Sequence, residues 1–125
     1  MMKVGVDIVD VVRMEKLVQN EHFLDKYFTE YEINYVQKTN RQTQSLAGIF
    51  AAKEAFLKAL GIGIGGGIDL NDIEVTHDSN GKPHLDVVSK KSKIMLKTMS
   101  VEEIAISISH ANEVATAICI IKNPN

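Results

Sequence analysis

The chain has 125 residues, 24% of them charged and 45% hydrophobic, which suits one folded domain and leaves little room for long disorder. A net charge of −2 argues against a general nucleic-acid binder, no apolar run reaches the roughly 20 residues of a membrane span, and the first residues lack the pattern of a secretory signal. A cytosolic protein is expected, and the single cysteine, Cys119, excludes an internal disulfide.

Lys3 to Val9 reads as a strand, with Gly5 and Asp7 on one face and Val4, Val6 and Ile8 on the other, so that Asp7 points away from the greasy side. A helix is expected from Val12 to Tyr27. Thr29, with Glu32 three residues later, forms a capping-box signature for a second helix over Glu30 to Lys38. A third begins near Thr43 or Gln44 and stops at Gly61, a good C-terminal cap.

That third helix is the most informative stretch of the sequence. At about 100° per residue, Leu46, Ile49, Phe50, Phe56, Leu57 and Leu60 cover one arc, and Ala47, Gly48, Ala51, Ala52, Ala55 and Ala59 cover most of the opposite one. A helix apolar all round is buried, yet this one carries Lys53, Glu54 and Lys58. Buried charges need partners or an ion.

After the helix, Gly61 to Gly67 holds five glycines in seven positions, which permits tight turns and close backbone approach to a ligand. It is no phosphate-binding fingerprint of the P-loop or dinucleotide type, because those precede their helix. Ile73 to His77 and His84 to Val88 flank Asn80-Gly81 and predict a β-hairpin, with Pro83 at the start or edge of its strand. The Lys-rich Ser89 to Met99 suits a short helix with a solvated face. Ile104 to His110, a turn at Ala111 to Glu113, and Val114 to Ile121 predict a second hairpin containing Cys119 as a core thiol. Helices in the first half and hairpins in the second make an α+β domain spanning 1–125, with helices packed on an antiparallel sheet.

Asp7 and Glu54 could converge on a hard cation, since magnesium favours one or two carboxylates completed by waters and phosphates; alternatively each pairs locally, Glu54 with Lys58 at i+4. Lys58 is a phosphate partner or that i+4 partner, and Lys53 is expected to snorkel to the surface. The four histidines lack zinc-site spacing. His110, at a strand end, is either an anion contact or a hydrogen-bonded turn residue. Asp69 and Asp72 begin the first hairpin.

Several of these segments together resemble a known family. Val4-Gly5-Val6-Asp7-Ile8-Val9 with Arg13 beyond it, Leu46 to Ala59 with its Phe-x-x-Lys-Glu-x-x-x-Lys element, Asn80-Gly81-Lys82-Pro83, and Ser107-Ile108-Ser109-His110 occur in the order found in the holo-acyl-carrier-protein synthases. These are the short-chain bacterial 4'-phosphopantetheinyl transferases. The resemblance implies transfer of the phosphopantetheine arm of coenzyme A to a serine of apo-acyl carrier protein, in support of fatty acid biosynthesis, with magnesium required. It further implies Asp7 and Glu54 as metal ligands, Glu54 and Lys58 as catalytic groups, and Lys58, Gly61, Lys82, Pro83 and His110 around the coenzyme A. Arg13 would contact the carrier protein, with Lys16 and Lys26 adding steering, and the chain would form a homotrimer with sites between subunits. Two positions depart from the family pattern: Ile49 replaces a commonly basic residue, and Ala111 replaces a hydroxyl.

Overall fold

The computed structural model describes residues 1–63 and 65–124. Strand β1 (Met2–Asp10) runs directly into helix α1 (Val11–Leu17), because the Asp10 carboxylate accepts from the amides of Val12 and Arg13. The single helix expected from Val12 to Tyr27 is two: the Asn20 side chain accepts from the His22 amide and opens α2 (Glu21–Tyr27). An asparagine with extended backbone satisfies the orphan donors of a new helix, and that local bond overrides the apolar periodicity. Helix α3 (Glu30–Gln37) starts at the Thr29–Glu32 capping box, and α4 (Gln42–Leu60) ends at Gly61, whose φ of 79° is a left-handed cap.

A 3-10 turn at Leu70–Asp72 leads into a hairpin of β2 (Ile73–His77) and β3 (Pro83–Val87), with Pro83 first in its strand as expected and Gly81 at φ 82° in the turn. Ser89 caps α5 (Lys90–Thr98), and β4 (Glu103–His110) with β5 (Val114–Lys122) forms the second hairpin. Among the described residues the strands make two antiparallel sheets, β1-β5-β4 and β2-β3, so the first strand pairs with the last.

Helix α4 lies across the three-stranded sheet at backbone contact. A Cβ at Gly5 would sit 2.0 Å from the Ala55 carbonyl oxygen and 2.6 Å from the Ala59 nitrogen, so only glycine fits there. The alanine arc of α4 is buried against the sheet, and the opposite arc is buried too. The alternation of β1 is as expected, but the buried face is the other one. Gly5 and Asp7 face α4, whereas Val4, Val6 and Ile8 are 58–69% exposed beside the half-exposed Ile118 and Ile120 of β5.

Lys53 does not snorkel. It is fully buried, and its ammonium donates to Glu32 at 2.5 Å, to the Tyr27 carbonyl at 2.8 Å and to the Leu70 carbonyl at 2.9 Å. Glu32, read from the sequence only as a cap, also accepts from the amides of Thr29 and Val75. One ion pair thus ties α4 to the end of α2, the start of α3, the 3-10 turn and β2. Burial holds the Glu32 carboxyl above its ordinary value and the Lys53 ammonium below its own, with their mutual attraction opposing both shifts.

Lys53→Met would leave the Glu32 carboxylate buried without its cation, and breaking one partner of such a pair costs about 3–5 kcal/mol. Denaturant unfolding should show a loss of that size; a change below about 1 kcal/mol would rule out the pair as an anchor of the fold.

Candidate active site

Asp7 follows Gly5 by two residues on the same face of β1, so the close approach at Gly5 sets the Asp7 carboxylate against α4. There it meets Lys58, whose Nζ donates to Asp7 Oδ1 at 2.9 Å and to the Val6 carbonyl at 3.1 Å. The partner of Lys58 is therefore Asp7, not the Glu54 that helical spacing suggests. The Thr116 hydroxyl, from β5, donates to the Asp7 carbonyl oxygen at 2.8 Å and fixes the backbone of β1 at this point.

Glu54 is half-buried and faces the same space. Its carboxyl is pushed above the ordinary range, first by burial and then by the Asp7 carboxylate, with Lys58 partly offsetting both. The Asp7 carboxylate disfavours a negative charge on Glu54, and a bound cation would relieve that repulsion. Both donors are hard oxygens, and among the described residues there is no group of three or more His, Cys, Asp or Glu to form a closed cage. Magnesium fits such a set, because it takes one or two carboxylates and leaves its other positions to water and phosphate oxygens.

An open cleft of about 910 Å³ adjoins this pair, lined by Asp7, Arg13, Phe23, Tyr27, Phe50 and Glu54 among others. Phe23 stacks on Phe50 with ring centroids 5.9 Å apart, and Tyr27 packs edge-on to both. The Asp10 cap holds Arg13 in the first turn of α1, and Arg13 is among the residues that line the cleft. Sequence reasoning missed the aromatic wall. Its signal was the spacing of Phe50, Glu54 and Lys58, each four residues from the next, which sets an apolar surface, a carboxylate and an amine along one stripe of α4.

The remaining residues implied by the resemblance lie elsewhere. Gly61 follows Lys58 at the end of α4 with open space around its Cα, and Ile64 in the glycine run is outside the described residues. Lys82 and Pro83 sit at the tip of the β2-β3 hairpin, outside the cleft lining. His110 is exposed at the end of β4. Asp7 is level with Ala117 and Ala117 with Ile108, so His110 is two strands across and two residues farther along. Asp7, Glu54 and Arg13 line the cleft and Lys58 is tied to it through Asp7, whereas Gly61, Lys82, Pro83 and His110 lie outside its lining. Ile49 is buried in the core, and the Ala111 amide closes the β4-β5 turn by donating to the Val114 carbonyl. Cys119 is buried in the core as expected, its thiol pushed up to about 12 by desolvation.

The profile of the 4'-phosphopantetheinyl transferase superfamily matches residues 3–119. A holo-[acyl-carrier-protein] synthase of Fusobacterium nucleatum is 41% identical over 118 residues, covering 94% of this chain and 96% of the relative. Among solved structures, the crystal structure of holo-[acyl-carrier-protein] synthase from Neisseria meningitidis superimposes with a TM-score of 0.88 at 28% identity, covering 97% of this chain and 98% of that one. The Bacillus anthracis enzyme, solved in complex with coenzyme A (3',5'-ADP), gives 0.81 at 35% identity, covering 99% and 100%.

Glu54 keeps its proton to higher pH in the folded chain than in the unfolded one, so its ionisation works against the fold. The penalty is absent in acid, where the group is protonated in both states, and grows as pH rises from the ordinary glutamate range through the raised folded value. Glu54→Gln, uncharged throughout, should raise the melting temperature at neutral pH without added metal, and the gain should vanish in strongly acidic buffer. A lower melting temperature for the variant at neutral pH would contradict the assignment.

Proposed function

The chain belongs to the 4'-phosphopantetheinyl transferase superfamily, and from that premise we propose how its side chains carry the transfer. The protein moves the 4'-phosphopantetheine arm of coenzyme A onto a serine hydroxyl of an apo-acyl carrier protein and releases adenosine 3',5'-bisphosphate. One observation carries the assignment of roles: Asp7, Glu54 and Lys58 meet beside an aromatic cleft that Arg13 also lines.

In the reaction the serine oxygen forms a bond to the phosphorus that bears the arm, and the bond from that phosphorus to the bisphosphate oxygen breaks. Little covalent work falls to the protein; positioning and charge neutralisation dominate. Asp7 and Glu54 would hold magnesium, which when bound draws charge from the pyrophosphate. The Lys58 ammonium neutralises charge on the pyrophosphate and on the leaving bisphosphate. The serine proton passes to Glu54 or to a water held beside it. Arg13 meets the acidic carrier protein, and Lys16 and Lys26 add to its steering. Phe23, Tyr27 and Phe50 offer the apolar wall along which the arm and its serine lie.

The homotrimer is supported by two features. Val4, Val6, Ile8, Ile118 and Ile120 form an exposed apolar sheet face that a second copy would cover. His110, and with it Lys82 and Pro83, lies away from the cleft of its own chain, as expected if these residues serve a site shared between subunits. Such an enzyme works in the cytosol, where coenzyme A and carrier proteins meet.

Incubation with coenzyme A, magnesium and apo-acyl carrier protein should add the mass of the arm to the carrier, and a chelator should stop the reaction. A folded sample that leaves the carrier mass unchanged would sink the assignment. Ile118→Arg, which buries a charge in any assembly over the outer face, should shift the sedimentation of the protein to that of a single chain. If the wild type already sediments as a single chain, the trimer is excluded.

A further inference from the structure

Lys58 has two positions to serve. In the chain without ligands its ammonium is bound to the Asp7 carboxylate at 2.9 Å and to the Val6 carbonyl at 3.1 Å. The Lys58 side chain is 55% exposed while that of Asp7 is 16% exposed, so the lysine is the partner free to move and the aspartate the one fixed in place. Thr116 holds the Asp7 backbone from the other side. An ammonium has three donors, and among the described residues Lys58 has two protein acceptors.

We infer that Lys58 is a built-in stand-in for the metal: its ammonium neutralises Asp7 in the empty site, competes with a divalent cation for that carboxylate, and gives way when a pyrophosphate offers it a better acceptor. The inference rests on the metal reading of Asp7 and Glu54. A cation approaching the empty site must displace Lys58 from Asp7 Oδ1 and also meets its positive charge at close range. A pyrophosphate removes both obstacles, because it draws the exposed ammonium to its own oxygens. The metal alone is therefore held weakly, and coenzyme A strengthens its binding by more than the phosphate oxygens contribute as ligands. Such coupling keeps the site from closing on a cation without its substrate, and it is reciprocal, so the metal favours coenzyme A by the same factor.

The test is a titration of Mn2+ alone against the intact protein at mildly alkaline pH, followed by calorimetry or by the electron paramagnetic signal of the free ion. Lys58→Met should bind Mn2+ about three- to tenfold more tightly than the wild type, since it loses both the competing ion pair and the direct repulsion. Lys58→Arg retains the charge and should bind as weakly as the wild type. Equal or weaker binding by Lys58→Met, with the wild type binding measurably, would overturn the stand-in role and leave the metal site intact. Failure of every form to bind Mn2+ even with coenzyme A present would overturn the metal reading as well.

Discussion

The backbone contact between Gly5 and helix α4 is the constraint on which the molecule turns. With the Ala55 carbonyl 2.0 Å from where a Cβ would lie, sheet and helix approach as closely as their main chains permit. Side chains one step removed from that contact on either element are forced together. Asp7 is the next inward residue of β1; Glu54 and Lys58 each immediately precede an alanine, Ala55 or Ala59, that touches Gly5. The charged site is a by-product of packing the smallest residues where the backbones meet. A larger residue at position 5 would widen the gap and draw Asp7 away from both partners.

The two lysines of α4 show how position decides the fate of a charge. Five residues apart, they project about 140° from one another around the helix axis. Lys53 points into a closed shell where Glu32 and the carbonyls of Tyr27 and Leu70 match its three donors one for one, and nothing is left for a ligand. Its work is architectural. By holding the Tyr27 carbonyl at the end of α2, it fixes the helix that carries Phe23 and Tyr27 along the cleft. Lys58 points to the edge strand β1 and stays half in water, which leaves it the freedom its proposed role with phosphate requires.

Much of the fold was legible because its signals are local. The Thr29–Glu32 box, the Gly61 cap, the Asn80-Gly81 turn and the strand alternations all act within a few residues, and each appears where the sequence puts it. What stayed hidden depends on partners far along the chain. Glu32 and Lys53 are 21 residues apart, and nothing in either segment names the other. The same holds for Lys58 and Asp7, separated by 51 residues, where the nearer Glu54 was the obvious partner. The burial of β1 stayed hidden for another reason. Alternation reveals that two faces differ, not which one faces the core, and here the more hydrophobic face is turned outward while glycine and aspartate turn in. The helix demands glycine beneath it, which turns that face inward, and an apolar outer face is what the proposed assembly would cover.

The same logic bears on Ile49. At 2% exposure it fills the core on the buried side of α4, so a basic side chain there would have to leave that packing to reach a phosphate. Ile49 keeps hydrophobic contact at this position, and under the proposed function any charge a basic residue would supply there must come from elsewhere. Arg13 lines the cleft, and Lys58 is engaged with Asp7. A pyrophosphate therefore meets few fixed positive charges in a single chain. Under the proposed function its neutralisation would fall on a cation held by Asp7 and Glu54, on a Lys58 released from Asp7, and on groups such as His110 that one chain alone does not bring to its own cleft. On the proposed reading, the loss of one fixed charge at position 49 makes the site depend more heavily on metal, mobile lysine and neighbouring subunit acting together.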